Sequence, residues 1–342
     1  MAETISIDNF LLLSATVPVV DVRSPTEFEQ AHFPSAINIP LLSNEERKIV
    51  GTLYKKTSRE EAIRTGFEII AGKTSSLIAS GLEAAKNSEL LVYCWRGGMR
   101  SASVVWLFEQ QGIKCHLLSG GYKNYRRSFK KYLSSGLNLN VLGGMTGSGK
   151  TEILKELKAL GLQVIDLEGI AHHKGSAFGS LGEEKQPTTE QFENYLYLEF
   201  AKLDKNKAIW VEDESRNIGR VFVPEELFAL MRRSSLYIIN LSKDKRIERL
   251  VVDYGKYPDH LLIERIERIG RKIGGQNMKT AIEAIHSKNY QKAADISLSY
   301  YDKTYNFGLG ERPNVQKFDV MCANPDAKEN AESLLTLIKK KK

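Results

Sequence analysis

The chain has 342 residues, 42% of them hydrophobic, which is enough for two ordinary cores rather than one. Residues Met1 to Asn9 carry acidic side chains and no basic-then-apolar pattern, and no apolar run reaches the ~18–20 residues of a spanning helix, which predicts a cytoplasmic protein without signal peptide or membrane segment. The net charge of +7 leaves an acidic partner open, and three cysteines (Cys94, Cys115, Cys322) with no Cys-x-x-Cys pair exclude a disulfide framework and structural zinc.

From Val17 to about Lys131, the β-rich runs VPVVDVR, AINIP, ELLVYC and IKCHLL alternate with helix-like stretches. This predicts a parallel α/β domain over residues 1–132. Residues 43–80 read as a polar, mostly helical insert between the second and third runs. The stretch Leu133-Ser-Ser-Gly-Leu-Asn138 has linker composition. A second α/β domain, residues 139–342, carries the runs LNLNVLGG, LQVIDLEG, KAIWVEDES and SSLYIINLS, followed by a helical part over about 244–295. The predicted class is α/β in both halves.

The stretch LLVYCWRGGMRSAS ends a strand at Cys94, turns through Gly97 and Gly98, and starts a helix near Ser101. Inward-turned N–H groups and a helix N-terminus make an anion site there, and the same field lowers a thiol's pKa. Arg96 and Arg100 add charge. Cys94, Arg96, Gly97, Gly98 and Arg100 are therefore the candidate catalytic residues, with Cys94 as nucleophile. Cys115 and Cys322 read as structural.

This half resembles a rhodanese domain over roughly residues 5–132. VVDVRSPTEFEQAHFPSAINIP is similar to that family's first motif, LLVYCWRGGMRSAS to its active-site loop, and HLLSGGY to its closing strand and turn. The loop departs from the family in one respect. Cys94 to Arg100 is Cys-x5-Arg, one residue longer than usual in sulfur-carrying rhodaneses and equal to the spacing of cysteine phosphatases. Tyr93 stands where a phosphatase has histidine. The resemblance thus implies a thiolate that meets a tetrahedral anion larger than a sulfane sulfur.

Gly144-Met-Thr-Gly-Ser-Gly-Lys-Thr151 fits G-x-x-x-x-G-K-[ST] between a strand and a helix, the context of a P-loop. Gly144, Gly147, Ser148, Gly149, Lys150 and Thr151 would cradle a diphosphate, with Thr151 holding Mg2+. Glu212, Asp213 and Glu214 compete as its carboxylate partner; Asp213 is the first choice, and Arg216 is a candidate phosphate contact. Asp166, Glu168, His172 and His173 are weaker candidates for the same cleft.

Lys123-Asn-Tyr-Arg-Arg-Ser-Phe-Lys-Lys131 packs five basic and two aromatic residues together. Lys123, Tyr125, Arg126, Arg127, Lys130 and Lys131 suit a phosphate backbone with bases to stack on. Arg265, Arg268, Arg271 and Lys272 form a second basic group, and Lys339 to Lys342 a basic end.

The order of the two halves, with the phrases CWRGGMRS, SGGYKNYRR, GGMTGSGKT, DLEGIAHHKGSAFG, VEDESRNIG and RIGRKIGGQN, resembles the tRNA 2-selenouridine synthase family. The resemblance implies a tRNA with a wobble 2-thiouridine in its anticodon arm as partner. Geranyl diphosphate and selenophosphate would be substrates, and S-geranyl-2-thiouridine the intermediate. It implies no tightly bound cofactor beyond Mg2+, and contact with a selenophosphate-producing enzyme. Phe178, Phe192, Tyr195, Tyr197 and Phe200 are candidates for the prenyl pocket. Two other readings stay open: a sulfurtransferase fused to an ATP- or GTP-dependent kinase, and a non-catalytic RNA-binding scaffold.

Overall fold

The computed structural model describes residues 3–312 and 314–340. Two compact units divide it: residues up to Ser135 together with Glu193–Ala201, and Gly136–Phe192 together with residues from Lys202 onward.

The first unit runs β1 (Glu3–Ile5), α1 (Ile7–Leu13), β2 (Val19–Asp21), α2 (Pro25–Gln30), β3 (Ile37–Asn38), α3 (Asn44–Lys56), α4 (Arg59–Ala71), α5 (Thr74–Ala84), β4 (Glu89–Tyr93), α6 (Met99–Glu109), β5 (Lys114–Leu118) and α7 (Gly121–Leu133). Its sheet has the order β1-β5-β4-β2-β3, every pair parallel. The chain leaves β2 toward β3 on one side and returns to β4 on the other. The carboxyl ends of β2 and β4 therefore flank a switch point, where parallel sheets open a crevice. Leu90, Leu91, Val92 and Tyr93 are wholly buried, as a central parallel strand covered on both faces requires.

The second unit runs β6 (Leu139–Gly144), α8 (Lys150–Ala159), β7 (Gln163–Ile165) and α9 (Leu167–Ala171), then α10 (Thr189–Ala201), whose last residues belong to the first unit. It continues with β8 (Ile209–Glu212), a hairpin of β9 (Asn217–Ile218) and β10 (Val221–Phe222), α11 (Glu225–Arg233) and β11 (Ser235–Asn240). Helices α12 (Lys243–Tyr254), α13 (Asp259–Ile273), α14 (Gly275–His286) and α15 (Tyr290–Gly310) follow, then β12 (Lys317–Met321) and α16 (Ala327–Lys339). The sheet order is β12-β11-β6-β8-β7, again all parallel, with β6 central. Among the described residues no helix is long and apolar enough to cross a membrane.

Helix α7 explains where the first basic group goes. Tyr122, Tyr125, Phe129 and Leu133 are buried at helical spacing, while Lys123, Arg127, Lys130 and Lys131 lie on the exposed side. Tyr125 is 1% exposed and its hydroxyl donates to the Asn194 carbonyl at 2.8 Å, so it stacks on no base. Arg126 is tied to Glu193 and to Asn194 Oδ1. The expected contact surface shrinks to one face. Lys339 and Lys340 lie at and just beyond the end of α16; Lys341 and Lys342 fall outside the described residues.

Candidate anion sites after β4 and β6

Strand β4 delivers Cys94 to the loop as its first residue, 3% exposed. The loop is held from behind by the turn after β5: Tyr122 N donates to Cys94 O and Lys123 N to Trp95 O, both at 2.9 Å. Gly97 (φ +65°) and Gly121 (φ +59°) make that contact possible. A Cβ on Gly121 would stand 2.4 Å from Cys94 O and from Gly97 N, so the double glycine of HLLSGGY exists to seat the cysteine loop. Helix α6 begins at Met99, two residues earlier than the sequence pattern suggested, and carries Arg100 in its first turn.

Burial pushes the Cys94 thiol up. The Ser101 hydroxyl, which donates to Sγ at 3.1 Å, the Arg100 charge and the N–H groups of Arg96 and Ser101 outweigh it, so the net shift is downward. The other thiols move the opposite way: burial raises Cys115 to about 12 and Cys322 to about 11. Arg100 Nη1 donates to Glu27 Oε2 at 2.8 Å, and Arg96 is exposed. Glu27 also accepts from Ser24 N at the start of α2. Below the site, the buried Arg23 guanidinium forks onto Asp21, at 2.6–3.0 Å, and lies 4.0 Å from the centroid of the Tyr122 ring. The Asp-Val-Arg motif is thus a structural clamp. Ser101 was missed by the sequence reading although it stands seven residues after the cysteine.

In the second unit, Gly144 to Thr151 join β6 to α8 around a cleft of about 1270 Å3. Gly147 and Gly149 have φ of +82° and +83°, which suits glycine and the inward-turned backbone of a phosphate loop. The loop is braced from outside. Arg246, 3% exposed, donates to Thr146 O at 3.2 Å while paired with Asp302, and Gly144 N donates to the Tyr305 hydroxyl at 2.7 Å. Lys150 Nζ donates to Gly144 O at 3.1 Å, and Ser148 Oγ is sealed from solvent with no partner.

The carboxylate hydrogen-bonded to Thr151 is not Asp213. Asp213 lines the cleft and is bound by Arg312 at 2.8 Å and Arg232 at 3.1 Å, although burial still pushes its carboxyl upward. Thr151 Oγ1 instead donates to Glu168 Oε2 at 2.7 Å. Glu212 anchors the same turn by accepting from Glu168 N at 2.7 Å. Burial, and then the charge of Glu168, push the Glu214 carboxyl well up. Thr151, Glu168 and Glu214 are hard oxygen donors that fit a divalent cation completed by diphosphate and water. Among the described residues, no group of three acidic, histidine or cysteine side chains could hold a metal by itself.

Arg216 is half exposed, pairs with Glu225 at 3.2 Å and does not line the cleft. Arg265, Arg268 and Lys272 do line it, with Arg265 and Arg268 both on Glu264; Arg271 is exposed and outside the lining. The second basic group therefore belongs chiefly to the P-loop cleft. His173 also lines it, buried, and burial and then the Arg265 charge lower its pKa. His172 sits beside the Lys185 carbonyl at 3.2 Å. Phe192, Tyr197 and Phe200 are core side chains rather than pocket walls.

Comparison with known proteins matches residues 9–128 to the rhodanese-like domain and residues 137–321 to the tRNA 2-selenouridine synthase AAA domain. The tRNA 2-selenouridine synthase of Marinobacter nauticus is 33% identical over 91% of this chain and 94% of its own length. Those of Shewanella pealeana and Aeromonas salmonicida are 36% and 38% identical, over 75% and 70% of this chain and 70% and 65% of theirs. With its second domain matched over more than half the chain and full-length relatives above 30% identity, this chain belongs to the tRNA 2-selenouridine synthase family.

Proposed function

We propose that the chain is a tRNA-modifying transferase that replaces the sulfur of wobble 2-thiouridine with selenium in two steps. In the first, the sulfur attacks the prenyl carbon of geranyl diphosphate. The carbon–oxygen bond breaks, diphosphate leaves, and the N3 proton is lost. The backbone of Gly147 to Thr151 and Lys150 would bind the departing diphosphate. When bound, Mg2+ supplies further neutralisation there, and Thr151 and Glu168 would hold it. In the second step, S-geranyl-2-thiouridine, selenophosphate and water give 2-selenouridine, geranyl thiol and phosphate. The wide loop from Cys94 to Arg100 would receive the tetrahedral selenophosphate, with the Cys94 thiolate against it.

One observation carries the reading. Of the three thiols only Cys94 is shifted toward the thiolate, inside an anion loop long enough for a phosphate-sized donor. The test is nucleoside mass spectrometry on 2-thiouridine tRNA, with geranyl diphosphate alone and then with selenophosphate. Lys150→Ala should lose geranylation, and Cys94→Ala should keep it but lose selenation. Unchanged 2-thiouridine with wild type and both donors, or substrate-stimulated nucleotide hydrolysis, would favour a sulfurtransferase fused to a kinase.

A further inference from the structure

The helical insert of the first unit does more than pack on its core. Helices α3 and α4 form one wall of a cleft of about 1070 Å3 that has Cys94 among its lining residues. Into it project large apolar side chains with no core to fill: Tyr54 is 61% exposed, Phe67 55%, Met99 48% and Trp95 36%. Apolar surface gathered in a concavity marks a binding site, whereas single surface hydrophobics are ordinary. Gly66 lines the same cleft in the middle of α4, where glycine destabilises a helix by about 1 kcal/mol relative to alanine. A Cβ there would meet nothing within 4 Å, so packing does not demand glycine; the residue leaves the space open.

The rim has a different chemistry. Seven basic side chains, among them Lys48, Lys55, Lys56 and Arg59, line the cleft against one carboxylate, Glu27. A polyanion with an apolar appendage matches both features, whereas selenophosphate alone needs no aromatic wall.

We infer that this cleft is the leaving-group site of the second step: it holds the prenyl chain of the S-prenylated anticodon nucleotide, with the RNA phosphates on the basic rim. The inference rests on the two-step reading above. In that step the C2–S bond breaks as selenium bonds to C2 beside Cys94. Water cleaves the Se–P bond to release phosphate and supplies the proton that makes the departing sulfur a prenyl thiol, so the chain must lie next to the reacting C2. Phe67 and Tyr54 act as positioning residues for that chain.

The test compares the full-length wild type with Phe67→Ser/Tyr54→Ser, whose exposed positions leave the thermal midpoint unchanged. Two anticodon stem-loops are supplied with selenophosphate, one S-geranylated and one S-methylated at 2-thiouridine. The variant should lose at least tenfold in kcat/KM on the geranylated substrate and nothing on the methylated one, and should geranylate 2-thiouridine tRNA at the wild-type rate. Equal effects on both substrates, or none, would overturn the inference. Direct titration with geraniol, read by tryptophan fluorescence, separates it from the reaction. If wild type converts neither stem-loop yet binds geraniol at least tenfold better than the variant, the two-step reading fails and the prenyl site stands. If geraniol binding is the same in both proteins, the site falls.

Discussion

Arg100 donates to Glu27 across 2.8 Å, so the guanidinium that the cysteine loop offers to an anion is held by a carboxylate from the neighbouring strand–helix turn. That carboxylate is shifted downward: burial raises its pKa, and the Arg100 bond and charge, the Ser24 N–H and the Arg47 charge together lower it more. The pair makes the loop less positive than its two arginines imply. Arg100→Met should raise the midpoint of the Cys94 alkylation profile, and Glu27→Gln should lower it, each by about one pH unit. Iodoacetamide rates against pH measure both, and shifts of the same sign would contradict this balance.

The sign of the pH dependence in the wild type follows from the lowered thiol. The thiolate is the reactive form, so alkylation of Cys94 should fall only as pH drops through a value below that of an ordinary thiol. Ser101→Ala removes a donor to Sγ and should move that fall upward by about one pH unit, corresponding to ~1.4 kcal/mol. Cys115 and Cys322 should stay inert over the same range, which peptide mass mapping resolves.

Two acidic substitutions in the P-loop cleft should separate. Glu168→Gln removes the carboxylate on Thr151 and should weaken Mg2+-dependent diphosphate binding about tenfold by calorimetry, with little loss of stability. Asp213→Asn strands two arginines and should lower unfolding stability by about 3 kcal/mol. Denaturant titration alongside calorimetry distinguishes the two.

On α7, charge reversal at Lys123, Arg127 or Lys131 should weaken tRNA binding at low salt and reduce the slope of log K against log salt by about one per site. Tyr125→Phe should leave both untouched and lower stability by about 1 kcal/mol through the lost bond to Asn194 O. Filter binding across a salt series gives the comparison.

Much of this was legible in the sequence, for physical reasons. Parallel strands buried on both faces, such as Leu90 to Tyr93, read as unbroken apolar runs, and the glycines of both loops announce backbone that must turn inward. Two of the four outer strands, β1 and β12, were not legible. Glu3–Ile5 is too short to make a pattern, and Lys317–Met321, although it alternates as a half-buried strand does, is only five residues long after a long helical stretch. Site detail failed where direction matters. Of three successive carboxylates at the end of β8, only the chain's exit angle decides which meets arginine, and the partner of Thr151 lies seventeen residues away on another turn. Tyr125 misled because a tyrosine among lysines looks like a stacking platform until its helical face is known.

Residues Glu193–Ala201 have a consequence for the modularity of the chain. They group with the first unit, receiving Tyr125, Arg126 and Tyr132 on Asn194, Glu193 and Phe200, although almost sixty residues of the second unit precede them. Cutting after Ser135 would give a fragment with those three side chains facing water. The two halves are interleaved along the polypeptide, and recombination that exchanges one for a relative's must carry this nine-residue segment with the rhodanese-like half.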